Sequence, residues 1–251
     1  MQVLEALAIG GAGVCAGLIN TVVGSGTLIT FPVLLAFGFP PVTANVSNGL
    51  GLVPGSVSGA IGYRAELKGQ GARIRRLAVA SALGAVGGAI LLLNLPADAF
   101  QAIVPILIVI ALVLVVLQPW LAKRLAKRAV EGEPTGDGIW LWLGILATGV
   151  YGGYFGAAQG VIALALMGVV IAEPLQRINA TKNVLTATAN LVSGIVFVFV
   201  AHVAWLAVLL IAVGSALGGV IGARIGRRLP PTVLRGIIVV VGIAALVKLL
   251  I

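Results

Sequence analysis

Eight apolar runs follow one another along the chain, separated by short polar or basic links. Two of them, residues 3–37 and 139–172, are much longer than the others, and each is interrupted by a glycine-rich break, at 20–27 and 156–160. A single helix of about 35 residues, rising 1.5 Å each, would span roughly 50 Å against a hydrocarbon core of about 30 Å. The pattern therefore predicts that each long run turns back on itself at its break as a helical hairpin. The remaining runs, 43–63, 77–93, 100–117, 178–200, 204–223 and 233–251, are each of a length that crosses a bilayer once.

Composition makes this a membrane reading. Of 251 residues, 60% are hydrophobic and only 9% charged, where soluble domains carry about 25% charged residues. The mean hydropathy is +1.18 and the pI near 10.7. Such a pI raises nucleic-acid binding, but the Lys and Arg residues fall in the links between apolar runs, the positive-inside pattern, so no nucleic-acid partner is expected. The first residues lack the basic start of a signal peptide, and the first apolar segment is expected to be retained.

Charge orients the runs. The 64–76 link holds Arg64, Lys68, Arg73, Arg75 and Arg76 against one acid, and the 118–138 link holds Lys123, Arg124, Lys127 and Arg128. Both are expected in the cytoplasm, as are Arg224, Arg227 and Arg228. Counting crossings back from these, 139–172 starts and ends inside. Internal matches carry the result to the first half: Gly24 with Gly160 at an offset of 136 (160 − 24), Asn48 with Asn183 at 135 (183 − 48), and Ser81-Ala82-Leu83-Gly84 with Ser215-Ala216-Leu217-Gly218 at 134 (215 − 81). The expected fold is an all-α polytopic membrane protein of two inverted-topology repeats, residues 1–118 and 139–251, joined by a cytoplasmic linker at 119–138. Each repeat is a broken hairpin plus three transmembrane helices, with both termini outside.

The breaks carry the chemistry. Half-helices that end inside a membrane expose N–H groups and a dipole that suit an anion. In the first break Gly24 and Gly26 free the backbone, Ser25 and Thr27 add hydroxyls, and Asn20 adds an amide. Gln159 and Gly160 do the same in the second, flanked by Tyr151 and Tyr154. The helices that follow open with Asn45 and Asn48, and with Thr181, Lys182 and Asn183. Their amides either bond to a neighbouring helix or touch substrate. Lys182 is a cation about one turn inside an apolar run, where a charge marks function unless it reaches back to the surface.

Other classes are excluded or weak. One cysteine, Cys15, and one histidine, His202, make neither a disulfide nor a protein-only metal site, and no metal or cofactor is expected. No carboxylate sits at the centre of a run, and no nucleophile–base pair points to an enzyme. Gly84-x-x-x-Gly88 and Gly214-x-x-x-Gly218-x-x-x-Gly222 are close-packing faces, within the protein or in a homodimer.

Together the motif Gly-x-x-x-Gly-Leu-Ile-Asn-x-x-x-Gly-Ser-Gly-Thr at 13–27, the polar cluster at 43–48, their echoes at 149–160 and 179–183, and Gly-Ala-Arg-x-Gly-Arg-Arg-Leu-Pro at 222–230 resemble the sulfite exporter TauE/SafE family of permeases. The resemblance covers nearly the whole chain. It implies a secondary transporter in the bacterial inner membrane, exporting a small sulfur-containing anion such as sulfite or sulfoacetate. The family's Gly-Thr-Ser type triplet is replaced here by Asn45-Val46-Ser47 and Thr181-Lys182-Asn183, which leaves the substrate open. A passive anion channel and a non-transporting membrane subunit are the alternatives.

Overall fold

The computed structural model describes residues 2–131, 138–225 and 231–250. Among them every regular element is helical: α1 (Val3–Val22), α2 (Thr27–Ala36), α3 (Pro41–Gly62), α4 (Gly71–Asn94), α5 (Ala97–Glu131), α6 (Ile139–Tyr154), α7 (Gln159–Val170), α8 (Leu175–Val200), α9 (Trp205–Ile225) and α10 (Pro231–Leu250). In lipid no water satisfies a free backbone group, so an apolar chain closes its hydrogen bonds within each segment. Five helices, α1, α4, α5, α8 and α9, are long and apolar enough to cross a membrane. The basic stretch after Leu117 continues α5 as far as Glu131. Residues 132–137 of the expected linker, and Arg227, Arg228 and Pro230, lie outside the described residues.

Polarity is segregated as a bilayer solvent requires. Ile106, Val109, Val113 and Val116 of α5 and Leu209, Val213 and Leu217 of α9 face outward, while Asn20, Ser47, Asn48, Lys182, Asn183 and Ser215 are buried. The outward apolar stripes need no partner in lipid; the inward polar groups do.

Small residues set the closest packing. α1 lies along α9 and α4 along α6. A Cβ on Gly84 or Gly88 would strike the backbone at Leu146 or Val150 of α6, and one on Gly218 or Gly222 would strike α1 at Val14 or Leu18. Both glycine faces are thus used inside the chain. Contacts advance together along α1 and α9, from Gly13 beside Ile211 to Gly17 beside Ser215, so these two helices run parallel. So do α4 and α6, from Gly84 beside Leu146 to Gly88 beside Val150. α3 runs antiparallel to α8: Leu50 covers Gly194, while further along α3 Val57 and Ile61 share a groove with Val184 and Leu191.

The halves also make matched bonds. Ser81 Oγ of α4 donates to Leu185 O of α8 at 3.0 Å, and Ser215 Oγ of α9 donates to Gly51 O of α3 at 2.7 Å. Pro40 and Pro174 precede α3 and α8 with nearly the same backbone angles, φ −55 and ψ 141 against φ −53 and ψ 140.

Candidate functional site

α1 and α6 end in the same way. Val23 and Gly24 N–H both fold back onto Ile19 O, at 2.7 and 3.1 Å, and Phe155 and Gly156 N–H both fold back onto Tyr151 O, at 2.9 and 3.0 Å. Gly24 (φ 93) and Gly156 (φ 77) then turn the chain through the left-handed region that glycine adopts freely. α2 and α7 restart at Thr27 and Gln159. With 10 and 12 residues they extend about 15 and 18 Å, half the thickness of a hydrocarbon core.

The two breaks touch. Gly160 N–H donates to Gly24 O at 3.1 Å. A Cβ on Gly24 would come within 2.7 Å of Gly160 Cα, so backbone meets backbone there. The N-termini of α2 and α7, the positive ends of their dipoles, therefore converge on one point. Phe31 of α2 stacks edge-on against Phe155 of the second break, with centroids 5.3 Å apart.

The carbonyl ends of α1 and α6 are closed mainly by α8 and α3 of the other half, helped by Gln118 and Tyr151 of their own. Lys182 Nζ donates to Asn20 O at 2.7 Å and Thr21 O at 3.3 Å, and its residue is fully buried. Asn179 and Asn183 Nδ2 also donate to Thr21 O, at 3.2 and 3.4 Å. Gln118 Nε2 of α5 donates to Val23 O at 3.1 Å, and its Oε1 accepts from Arg235 Nε of α10 at 3.3 Å. At the second break Asn45 Nδ2 of α3 donates to Tyr154 O at 2.9 Å, and Tyr151 OH donates to Ala157 O at 2.6 Å. Unsatisfied carbonyls in a membrane interior cost several kcal/mol each, so these side chains hold the breaks open as breaks. α1 receives a lysine amine at its carbonyl end, whereas α6 receives an asparagine amide.

The remaining residues divide. Asn20 Nδ2 donates to Ser56 Oγ of α3 at 2.9 Å, and its Oδ1 accepts from Gly26 N–H at 3.5 Å, inside the break. Asn48 donates to Thr27 Oγ1 at 3.2 Å and accepts from Thr30 Oγ1, tying α3 to the start of α2. Ser25 Oγ is buried with no hydrogen-bond partner. Gln159 packs its amide on Gly152. Thr181 turns away from the breaks: its hydroxyl bonds to Arg177 O and to Gln70 Oε1 of the α3–α4 link. Nearby, Glu173 joins Arg73 of α4 at 3.3 Å and Arg177 of α8 at 2.7 Å, so a charged clasp crosses between the halves on this side.

Thr30, Ser56 and Gln118 were not singled out by sequence, and Asn179 was noted only as the start of the 179–183 cluster, not as a site residue. Asn179 had a usable signal, since it follows Pro174 at the same interval as Asn45 follows Pro40. Gln118 had none, because it sits where an apolar run gives way to polar residues and looks solvated. Two cavities among the described residues are lined by neither break. One of about 270 Å³ lies beside Pro32, Phe39, Pro40 and Ala245. The other, about 390 Å³, is the apolar groove between α3 and α8.

The family model described as Sulfite exporter TauE/SafE matches residues 9–249. A "Probable membrane transporter protein YfcA" of Escherichia coli strain K12 is 29% identical over 239 residues, covering 94% of this chain and 86% of the relative. A "Probable membrane transporter protein ORF9" of a Sinorhizobium species is 30% identical over 245 residues, covering 95% and 90%. A "Probable membrane transporter protein" of Haemophilus influenzae is 25% identical over 240 residues, covering 94% and 91%. No solved structure matches the chain.

Proposed function

The chain belongs to the sulfite exporter TauE/SafE family and is a membrane transporter, and on that premise we propose that it is a secondary transporter exporting a small sulfur-containing anion, sulfite or an organosulfonate such as sulfoacetate. The anion binds between the two breaks, on the N-termini of α2 and α7. The observation that carries this reading is the meeting of those N-termini at Gly24 and Gly160. Two positive dipole ends face one point, and Lys182 cancels the negative end of α1 beside them. Gly24 O now occupies the Gly160 N–H that an anion would use.

Alternating access is a rocking of one half against the other that parts the breaks. The opposed directions of α3 and α8, and the parallel pairs α1 with α9 and α4 with α6, favour two inverted repeats with the site at their interface. In this reading the chain is a multi-pass protein of the bacterial inner membrane, and the Arg73–Glu173–Arg177 clasp lies on the cytoplasmic side.

Purified protein in vesicles tests it. Labelled sulfite or sulfoacetate is expected to exchange saturably against the same anion on the far side, faster than phosphate. Lys182→Ala is expected to lower the exchange at least about tenfold, the loss of roughly 1.4 kcal/mol of charge stabilisation. Flux without acceleration by anion on the far side points to a passive channel instead. Unchanged rates in both Lys182→Ala and Gln159→Ala rule out the break pair as the site.

A further inference from the structure

The groove between α3 and α8 is apolar along its length and basic at one end. The short side chains of Ala60 and Ala187 leave a hollow of about 390 Å³ between the two helices. It opens outward, since Val57, Ile61 and Leu191 on its walls are 41%, 57% and 47% exposed. Thr188 adds no free polar group, because its hydroxyl donates to Val184 O at 2.9 Å within α8. Outward apolar surface needs no partner in lipid. What sets this groove apart is Arg64, which lines it just past the end of α3 at Gly62. Arg64 is exposed, and among the described residues its guanidinium has no hydrogen bond or ion pair. The same is true of the ammonium of Lys68 in the same link. Arg73 and Arg177 share Glu173, but no acid lines the groove to serve Arg64. The cavity beside Pro32 and Phe39 has no charged residue on its wall.

We propose that this groove binds an anionic phospholipid, with one acyl chain between α3 and α8 and the phosphate on Arg64. A guanidinium pairs with phosphate oxygens through two parallel N–H bonds. Basic pockets between membrane helices at the cytoplasmic surface suit anionic headgroups, and the orientation proposed above puts Arg64 on that side. A zwitterionic headgroup would bring its own cation beside Arg64 and Lys68, whereas phosphoglycerol brings none, so charge favours the anionic lipid. A second copy of the chain fits worse. A two-fold interface through this groove would set hollow against hollow, and both Arg64 residues at one depth beside the axis with no acid from the groove between them. α3 belongs to the first half of the chain and α8 to the second, so the lipid touches both halves at once. The inference stands on the groove and is independent of which anion the breaks bind.

The test is thermal unfolding of delipidated full-length protein in detergent, with phosphatidylglycerol or phosphatidylcholine of the same acyl chains added at equal mole fraction. Phosphatidylglycerol is expected to raise the melting temperature saturably, by about 3 °C more than phosphatidylcholine. Arg64→Gln is expected to remove at least half of that difference, and so is Ala187→Leu, which fills the hollow. Arg75→Gln removes the same charge from an exposed arginine of α4 that does not line the groove, and is expected to keep the difference. Glycerol 3-phosphate, a phosphate without acyl chains, is expected to give no shift. Equal shifts from the two lipids in wild-type protein overturn the proposal. So does a full difference in Arg64→Gln, or an equal loss in Arg64→Gln and Arg75→Gln, which would mean attraction to net charge alone. A shift from glycerol 3-phosphate as large as that from the lipid overturns it as well. If the groove variants do not fold, wild-type protein decides: phosphatidylglycerol with a photoreactive group at the end of its acyl chain is expected to label residues 57–61 or 184–191, and labelling only elsewhere overturns the site. Ile61→Cys, in a Cys15→Ala background, that crosslinks between copies in high yield in vesicles assigns the groove to a second copy and overturns it too. Anion exchange can fail without altering these readouts, so the two proposals can be lost separately.

Discussion

The break pair depends on two glycines for different reasons. Gly24 needs its positive φ to end α1, and it also lies against the backbone of the second break. Gly160 has no unusual backbone angle, but a Cβ there would meet Gly24 Cα at 2.6 Å and the Lys182 side chain at 3.0 Å. The obstacle is main chain in both cases, and main chain at the centre of a bundle has little room to yield. Gly24→Ala is expected to destabilise by about 3 kcal/mol or more, from left-handed strain plus overpacking, and Gly160→Ala by about 2 kcal/mol. Gly49→Ala, on α3 with nothing within 4 Å of its Cβ position, is expected to be neutral or slightly stabilising. Thermal melting of the three variants in detergent checks the order. At this scale the sequence identified the glycines and Lys182, and it left open whether the amides touch helix or substrate. In the structure Asn45, Asn179 and Asn183 bond to helix-end carbonyls, because a carbonyl freed by a break must find a donor nearby.

Among elements, the recurring device is that α3 and α8 close the helix ends of the opposite half. Asn45 of α3 caps α6, and Lys182 of α8 caps α1. The residue correspondence behind this differs from the one that sequence matching suggests. α2 and α7 start at an offset of 132 (159 − 27) and end at an offset of 134 (170 − 36), because α7 is two residues longer. Gly24 therefore corresponds to Gly156, the other left-handed turn, rather than to Gly160, which it touches. Asn48 corresponds to Lys182, at the 134 (182 − 48) set by the paired prolines 40 and 174. Small apolar residues recur at every helical turn, so sequence alone slides one turn without penalty; only the dihedral angles and contacts fix the register. The Ser81–Leu185 and Ser215–Gly51 bonds provide a test of the correspondence. Ser81→Ala and Ser215→Ala are expected to cost about 1 kcal/mol each and to add in the double variant, as separate sites do. Denaturation of the single and double variants reads this out. A large effect from one serine and none from the other is inconsistent with equivalent helix pairs.

For the whole molecule, the direction of each helix relative to the bilayer follows from charge, and its direction relative to its neighbours from packing. The parallel and antiparallel pairs require α1 and α6 to begin on opposite sides; the orientation proposed here, with α1 beginning outside, comes from charge alone. In a Cys15→Ala background, Gln2→Cys is expected to react with an impermeant maleimide added outside intact cells, and Lys68→Cys only after the membrane is opened. Reaction of Lys68→Cys in intact cells reverses the orientation and removes the cytoplasmic assignment of the Glu173 clasp.

The sequence by itself determined an all-helical chain in a bilayer, the two long runs that fold back at glycine breaks, and a lysine, Lys182, inside an apolar run. Those features are local: run length against membrane thickness, glycine against backbone strain, charge against hydrocarbon. The tertiary structure alone decided that the breaks meet backbone to backbone, that Lys182 and two asparagines close the end of α1, that Thr181 turns to Gln70, and that Gln118 belongs to the interior. These are contacts between residues up to 162 positions apart. They arise because a polar group carried into the membrane is satisfied most often from another helix, and no local pattern says which helix that will be.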